Sequence, residues 1–147
     1  MRIADILRGK GSAVATVTAT TTVTGLLAEL GVHNIGAVVV IGGSGDTGGI
    51  VGIVSERDVV RHLRERGSEL LRSPVAEIMS PVAVTCAPED PVDDLAALMT
   101  NNRVRHVPVL DGGRLAGIVS IGDVVKIRME ELAAERQQLR AYITQGG

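Results

Sequence analysis

The nine residues Gly52-Ile53-Val54-Ser55-Glu56-Arg57-Asp58-Val59-Val60 recur as Gly117-Ile118-Val119-Ser120-Ile121-Gly122-Asp123-Val124-Val125, with seven of nine positions identical at an offset of 65. Toward the N-terminus, Val38-Val39-Val40 falls on Val107-Pro108-Val109 and Val23 on Val92, at an offset of 69. The four-residue difference lies in the Gly-rich insertion Gly42–Gly49, and Ala4-Asp5-Ile6-Leu7 matches Ala76-Glu77-Ile78-Met79. The 147-residue chain therefore divides into a first repeat (1–66), a polar linker (67–74), a second repeat (75–130) and a C-terminal helix and tail (131–147). A unit this long that occurs only twice reads as a pseudo-symmetric pair and not as a solenoid. Each copy alone is too small for a secure core, so the two are expected to pack together through their sheets.

Within each copy the hydrophobic periodicity alternates. Val14–Val17 and Val82–Thr85 are short strand candidates. A helix follows, with Val23, Leu26, Leu27 and Leu30 on one face in the first copy and Val92, Leu95, Leu98 and Met99 in the second. Asp90 before Pro91 reads as an N-cap followed by proline at the first helical position. Two strand pairs come next, Ala37–Ile41 with Ile50–Val54 and Val107–Leu110 with Leu115–Val119, joined by turn-rich segments and so read as hairpins. Second helices begin near Ser55 and Ser120. The expected class is α/β (α+β): two β-α-β-β-α repeats, each with a short helical lead-in. A C-terminal helix carries an apolar stripe of Val125, Met129, Leu132, Leu139 and Ile143.

Composition narrows the function classes. The apolar residues are aliphatic, with no Trp or Phe and one Tyr, which leaves no aromatic platform for stacking nucleic-acid bases. Fifteen basic against 17 acidic residues give a net charge of −2, so no basic stripe neutralises a phosphate backbone. Nucleic acid is excluded as a partner on both grounds. No apolar run reaches membrane-spanning length, and Met1-Arg2-Ile3-Ala4-Asp5 lacks the apolar stretch of a signal peptide. The single cysteine, Cys86, cannot form an internal disulfide, and no Cys/His spacing suggests zinc or another metal. A cytoplasmic setting is expected.

The constellation that carries chemistry is Gly-x-x-Ser-x-x-Asp, at Gly52, Ser55, Asp58 and again at Gly117, Ser120, Asp123. It has two readings. In one, Ser caps a helix and Asp three residues later completes a capping box. In the other, the strand-to-helix junction offers free N–H groups and a positive dipole end to a phosphate, while the acidic side chain takes the hydroxyls of a ribose. Recurrence beside a glycine that permits close backbone approach favours ligand binding.

The chain resembles a tandem pair of CBS (cystathionine β-synthase) domains, a Bateman module. The resemblance is carried by Asn34-Ile35-Gly36-Ala37-Val38-Val39-Val40 with Gly52 to Asp58, and by Arg103-Val104-Arg105-His106-Val107-Pro108-Val109 with Gly117 to Asp123. Such modules are similar to the regulatory parts of inosine monophosphate dehydrogenase and AMP-activated kinase. The resemblance implies a non-enzymatic energy-sensing or regulatory function with no catalytic residue or cofactor. It implies an adenosine-containing ligand (AMP first, then ADP, ATP, NAD(H) or S-adenosylmethionine) in clefts between the repeats. It further implies ribose contacts from Asp58 and Asp123, ribose or phosphate contacts from Ser55 and Ser120, and adenine slots formed around Thr16, Val17, Ala37, Val38, Thr85, Cys86 and Val107. Homodimers are common in this family, and a downstream protein partner is implied.

The surroundings of the two units differ. Glu56-Arg57 stands where the second copy has Ile121-Gly122, and Arg103, Arg105 and His106 stand where the first has Asn34, Gly36 and Ala37. Arg57, Arg103, Arg105 and His106 are candidates for phosphate, and the two sites are expected to be unequal. Gly43-x-Gly45-x-x-Gly48 matches a dinucleotide fingerprint but leads into a strand where that motif must open a helix. His33 and His62 read as surface residues, and Cys86 as a small core residue. Asp90, Asp93 and Asp94 read as acids favoured at a helix start. No nucleophile, base and oxyanion hole come together. The rival readings are a structural protein-interaction module without a physiological ligand and a small nucleotide-processing enzyme.

Overall fold

The computed structural model describes residues 1–11, 14–42 and 49–146. The elements run α1 (Ile3–Lys10), β1 (Thr16–Thr18), α2 (Val23–His33), β2 (Ala37–Gly42), β3 (Gly49–Ser55) and α3 (Glu56–Arg66). Two 3-10 turns, Gly67–Arg72 and Val75–Glu77, lead to α4 (Val92–Asn102), β4 (His106–Asp111), β5 (Arg114–Ser120) and α5 (Ile121–Gly146). The class is mixed α/β, with a three-stranded sheet β1-β2-β3 and a two-stranded sheet β4-β5. The dinucleotide-like glycines at 43, 45 and 48 lie outside the described residues.

Both hairpins form in equivalent registers. Val39 pairs with Ile53 and Val40 with Gly52, as Pro108 pairs with Ile118 and Val109 with Gly117. The inward faces make two cores, one around Val17, Leu26, Val38, Val40 and Val54, the other around Cys86, Leu95, Val107, Val109 and Val119. Helices α2 and α4 both end on a residue in the left-handed region, Asn34 at φ 52° and Arg103 at φ 53°, where a helix C-terminus commonly places glycine.

Three local expectations change. Val82–Thr85 does not form a strand; the backbone bridges to β4 at Cys86, which donates its N–H to the Pro108 carbonyl and accepts from the Leu110 N–H. A parallel ladder would continue through an N–H at position 108 on one side and at position 88 on the other, and both residues are proline. In the first copy Val39 and Ala19 stand at those positions, and β1 pairs with β2 over three residues. Asp90 does not cap α4: the N-cap is Pro91, and the Asp90 carboxylate accepts from the Ala87 N–H at 2.9 Å, closing the preceding turn. Finally, the second helix of the second copy and the C-terminal helix are one, since α5 runs unbroken from Ile121 to Gly146.

The lead-ins cross over. Ile3 and Ile6 of α1 are buried in the second copy's core, and Val75 and Ile78 in the first copy's. The backbone repeats the exchange: Ile3 and Ala4 donate to the carbonyls of Asp90 and Pro88, as Val75 and Ala76 donate to those of Thr21 and Ala19. Each copy thus supplies the other with a piece of core, and this reciprocal exchange ties the pair together.

Candidate functional site

Where β3 ends and α3 begins, Ser55 is the N-cap in extended conformation and Asp58 sits three residues on. The Asp58 carboxylate accepts, through Oδ2, the Ser55 N–H at 2.9 Å and hydroxyl at 3.1 Å, and Asp58 N–H points back to Ser55 Oγ at 3.4 Å. The second copy repeats this with Ser120 and Asp123 at 2.8, 3.0 and 3.2 Å. Both units are therefore true capping boxes. The capping uses one oxygen of each carboxylate and leaves Oδ1 for another partner. Asp58 is the buried charged side chain of the described residues, at 8% exposure. Burying a carboxylate is costly unless it is well paired, which makes this position more than a convenient cap.

Asp58 lies in a cleft of about 380 Å3 between the copies. One wall is Gly36, Ile53 and the start of α3; the other is Arg103 to His106 with Pro108; the floor is the non-strand segment Ser80 to Val84. Arg57, Arg61, Arg103, Arg105 and His106 all line it, opposed by Glu56 and Asp58. The cleft thus brings together six residues singled out from sequence: Ser55, Arg57, Asp58, Arg103, Arg105 and His106. Ser120 and Asp123 lie outside its lining, as do Thr16, Val17, Ala37, Val38, Thr85, Cys86 and Val107. The side chains of Val17, Val38, Cys86 and Val107 belong to the two cores.

Sequence reasoning missed Arg61 and the Ser80–Val84 floor. Arg61 was legible as Arg57 plus four, the next residue on the same helix face. Ser80–Val84 was hidden because its last residues read as a strand. His33 Nε2 lies 3.2 Å from Glu29 Oε2, and His62 Nδ1 lies 2.8 Å from the Asp58 carbonyl. Cys86 is inert: burial, with help from Asp90, pushes its thiol up to about 12.

The two carboxylates are electrostatically different. Lys10 Nζ donates to Asp123 Oδ2 at 2.7 Å and to the Ile118 carbonyl at 2.8 Å. Burial alone would push the Asp123 carboxyl up, but hydrogen bonds from Lys10 and Ser120 and the Lys10 charge hold it below the ordinary carboxylate range. Among the described residues, no cation pairs with Asp58. His106 lies between the two units: burial, the Lys10 ammonium and Arg105 hold its imidazole below the usual range, outweighing Asp123 and Glu56.

Comparison with known proteins adds a context. The CBS domain family model matches residues 4–65 and 75–130. The mitochondrial CBS domain-containing protein CBSX3 of Arabidopsis thaliana is 36% identical over 151 residues, covering 99% of this chain and 72% of the relative. The crystal structure of the CBS-domain containing protein ATU1752 from Agrobacterium tumefaciens superposes with a TM-score of 0.78 at 41% identity, covering 87% of this chain and 99% of that one. The CBS domain protein PAE2072 from Pyrobaculum aerophilum, solved in complex with AMP, gives a TM-score of 0.73 at 30% identity, with 84% and 89% covered.

Proposed function

The chain belongs to the CBS domain family, and from that premise we propose that it is a non-enzymatic regulatory module that binds an adenosine-containing nucleotide, AMP foremost, in the cleft headed by Asp58. One observation carries the reading. A buried carboxylate with one unused oxygen faces the same 380 Å3 space as four guanidinium groups. A ribose needs an acceptor for its hydroxyls and a phosphate needs cations; the cleft is lined by both. The AMP complex of the Pyrobaculum aerophilum relative supports the same ligand class.

In this reading Asp58 Oδ1 takes the ribose hydroxyls and the Ser55 hydroxyl stands beside them. Arg57, Arg61, Arg103 and Arg105 take the phosphate as charge-assisted, forked donors. The adenine lies against the apolar surfaces of Ile53, Val82, Val84 and Pro108, since the cores hold the side chains of Val17, Val38, Cys86 and Val107. Such a ligand touches α3 of one copy and the Arg103–His106 segment of the other. It therefore binds best when the copies are closed, and that preference is what lets it shift a conformational equilibrium.

We also propose a homodimer as the regulated species. Val60 on α3 and Val125 on α5 occupy equivalent positions and are 67% and 55% exposed. Met129, Leu132, Leu139 and Ile143 extend the apolar surface along α5, each more than half exposed. A second copy of the same chain offers the matching face. Sedimentation reporting a monomer at micromolar concentration would remove the dimer. A single cysteine with no disulfide partner suits a reducing compartment, and the cytoplasm is the proposed location.

The test is thermal unfolding followed by circular dichroism with AMP, ADP, ATP, NAD, NADH and S-adenosylmethionine, and GMP as control. A ligand at about 100 times its Kd adds about 2.7 kcal/mol and several degrees for a chain of this size. A shift with adenine ligands that Asp58→Asn abolishes supports the sensor. No shift with any ligand at millimolar concentration leaves a structural interaction module. Product formed from ATP or NADH on prolonged incubation would make the protein an enzyme.

A further inference from the structure

Lys10 sets the two Ser/Asp units apart. It is the last residue of α1, and its ammonium bridges the Ile118 carbonyl on β5 and the Asp123 carboxylate in the first turn of α5. We propose that Lys10 is a specificity-determining residue: by occupying Asp123 it keeps the second site closed, so that each chain binds one nucleotide, at Asp58. The inference rests on the nucleotide reading above and adds which site is used and why.

Three observations carry it. The first is the anchoring of α1. Ile3 and Ile6 are buried in the second core and Leu7 lies over Gly117, so Lys10 is delivered to Asp123 from a fixed helix end. Little chain freedom is lost when the ion pair forms, which is what limits most exposed pairs. Lys10 and Asp123 side chains are 34% and 21% exposed, so solvent screens the pair only in part.

The second is that the pseudo-symmetry is broken at this position. Aligned by the lead-ins, Lys10 corresponds to Val82; aligned by the strands, it corresponds to Met79. Neither side chain can pair with a carboxylate, so among the described residues Asp123 Oδ2 holds a cation where Asp58 Oδ2 holds only its own cap. The third is space. Among the described residues, a cavity that Lys10 and Asp123 line together is about 150 Å3, against about 380 Å3 at Asp58. Sites for molecules of nucleotide size run from about 300 Å3 upward. The depressed titration of the Asp123 carboxyl agrees with a strong, occupied acceptor.

Isothermal titration calorimetry with AMP on the full chain tests this. The wild type should bind one AMP per chain, lost in Asp58→Asn and kept in Asp123→Asn. Lys10→Met should add a second binding event that Asp123→Asn removes. Any second event in the wild type should be at least about tenfold weaker than the first, a gap of about 1.4 kcal/mol. Lys10→Gln, which keeps a donor for the Ile118 carbonyl, repeats the test if Lys10→Met does not fold.

The inference is overturned if the wild type takes two AMP per chain with affinities within about tenfold, or if Lys10→Met and Lys10→Gln still bind only one. It is also overturned if a second wild-type site weakens on Lys10→Met, since Lys10 would then hold the ligand. These outcomes leave the nucleotide reading standing. Absence of any AMP binding by the wild type would instead remove AMP from that reading, and this inference with it.

Discussion

Leu7 of α1 lies over Gly117 of β5 so closely that a Cβ at Gly117 would stand 2.6 Å from Leu7 Cδ2. Its counterpart Gly52 is covered by Met79 and Ser80, whose Sδ and carbonyl oxygen would stand 2.8 and 2.9 Å from a Cβ there. The glycine that opens each Gly-x-x-Ser-x-x-Asp unit thus makes room for the chain's own lead-in segments, and in doing so permits the exchange between the two cores.

Gly52→Ala should therefore destabilise the fold more than Gly117→Ala. At Gly52 the obstacle includes the Ser80 backbone, which also bonds both ways with Ile53 at 2.9 Å. At Gly117 it is the end of a flexible leucine. Overpacking of this kind costs about 1–3 kcal/mol, with Gly52→Ala toward the upper end. Urea unfolding of both variants checks the order, and equal or inverted losses would count against the account.

Arg103→Gly should separate stability from binding. Arg103 holds a left-handed conformation at φ 53° and also lines the cleft. Relief of the left-handed strain, worth about 1–2 kcal/mol, outweighs the added freedom of glycine in the unfolded chain, about 0.5–1 kcal/mol. The urea midpoint should hold or rise while AMP affinity falls several-fold. Asn34→Gly, at the equivalent helix end away from that wall, should leave affinity unchanged.

Asp58→Asn should keep the fold and lose the ligand. The amide oxygen can still accept from the Ser55 N–H, so stability should drop by no more than the value of a helix cap, about 0.5–2 kcal/mol. Affinity should fall by about tenfold or more, because a neutral amide oxygen is a weaker acceptor for ribose hydroxyls. Affinity unchanged in this variant would mean that Asp58 is only a cap.

Acidification should weaken the fold through His106. Its imidazole titrates below its unfolded value of about 6.5. Between those two values the unfolded chain carries more protons, so stability rises with pH through that window and falls as pH drops through it. Asp123 acts lower down: its depressed carboxyl contributes stability above its unfolded value, lost as pH falls through the folded one. Melting temperatures at pH 7.5 and 5.5 should differ less in His106→Gln than in the wild type. Lys10→Met should raise the His106 value, read by NMR of the ring protons, since the Lys10 charge is one of the forces lowering it.

The repeat, the hairpins and both capping boxes were legible in the sequence because each is local or self-repeating. A capping box is closed by hydrogen bonds three residues apart, and a hairpin by turn residues between two apolar runs. Ser55 and Asp58 stood out because their unit recurs as Ser120 and Asp123, whereas Arg57, Arg103, Arg105 and His106 stood out as polar positions at which the two copies differ. The reading failed at Val82–Thr85, where apolar residues suggested a strand but prolines 88 and 108 withhold the N–H groups its ladder needs.

What only the tertiary structure decided is which partner each segment meets. Nothing in the order of residues says that α1, at the head of the first copy, is buried in the core of the second. Nor does it say that Lys10 pairs with Asp123, 113 residues away, while among the described residues no cation pairs with Asp58. Two nearly identical sequence units came to stand in different electrostatic surroundings because long-range packing, and not the local pattern, sets the charge that each carboxylate faces.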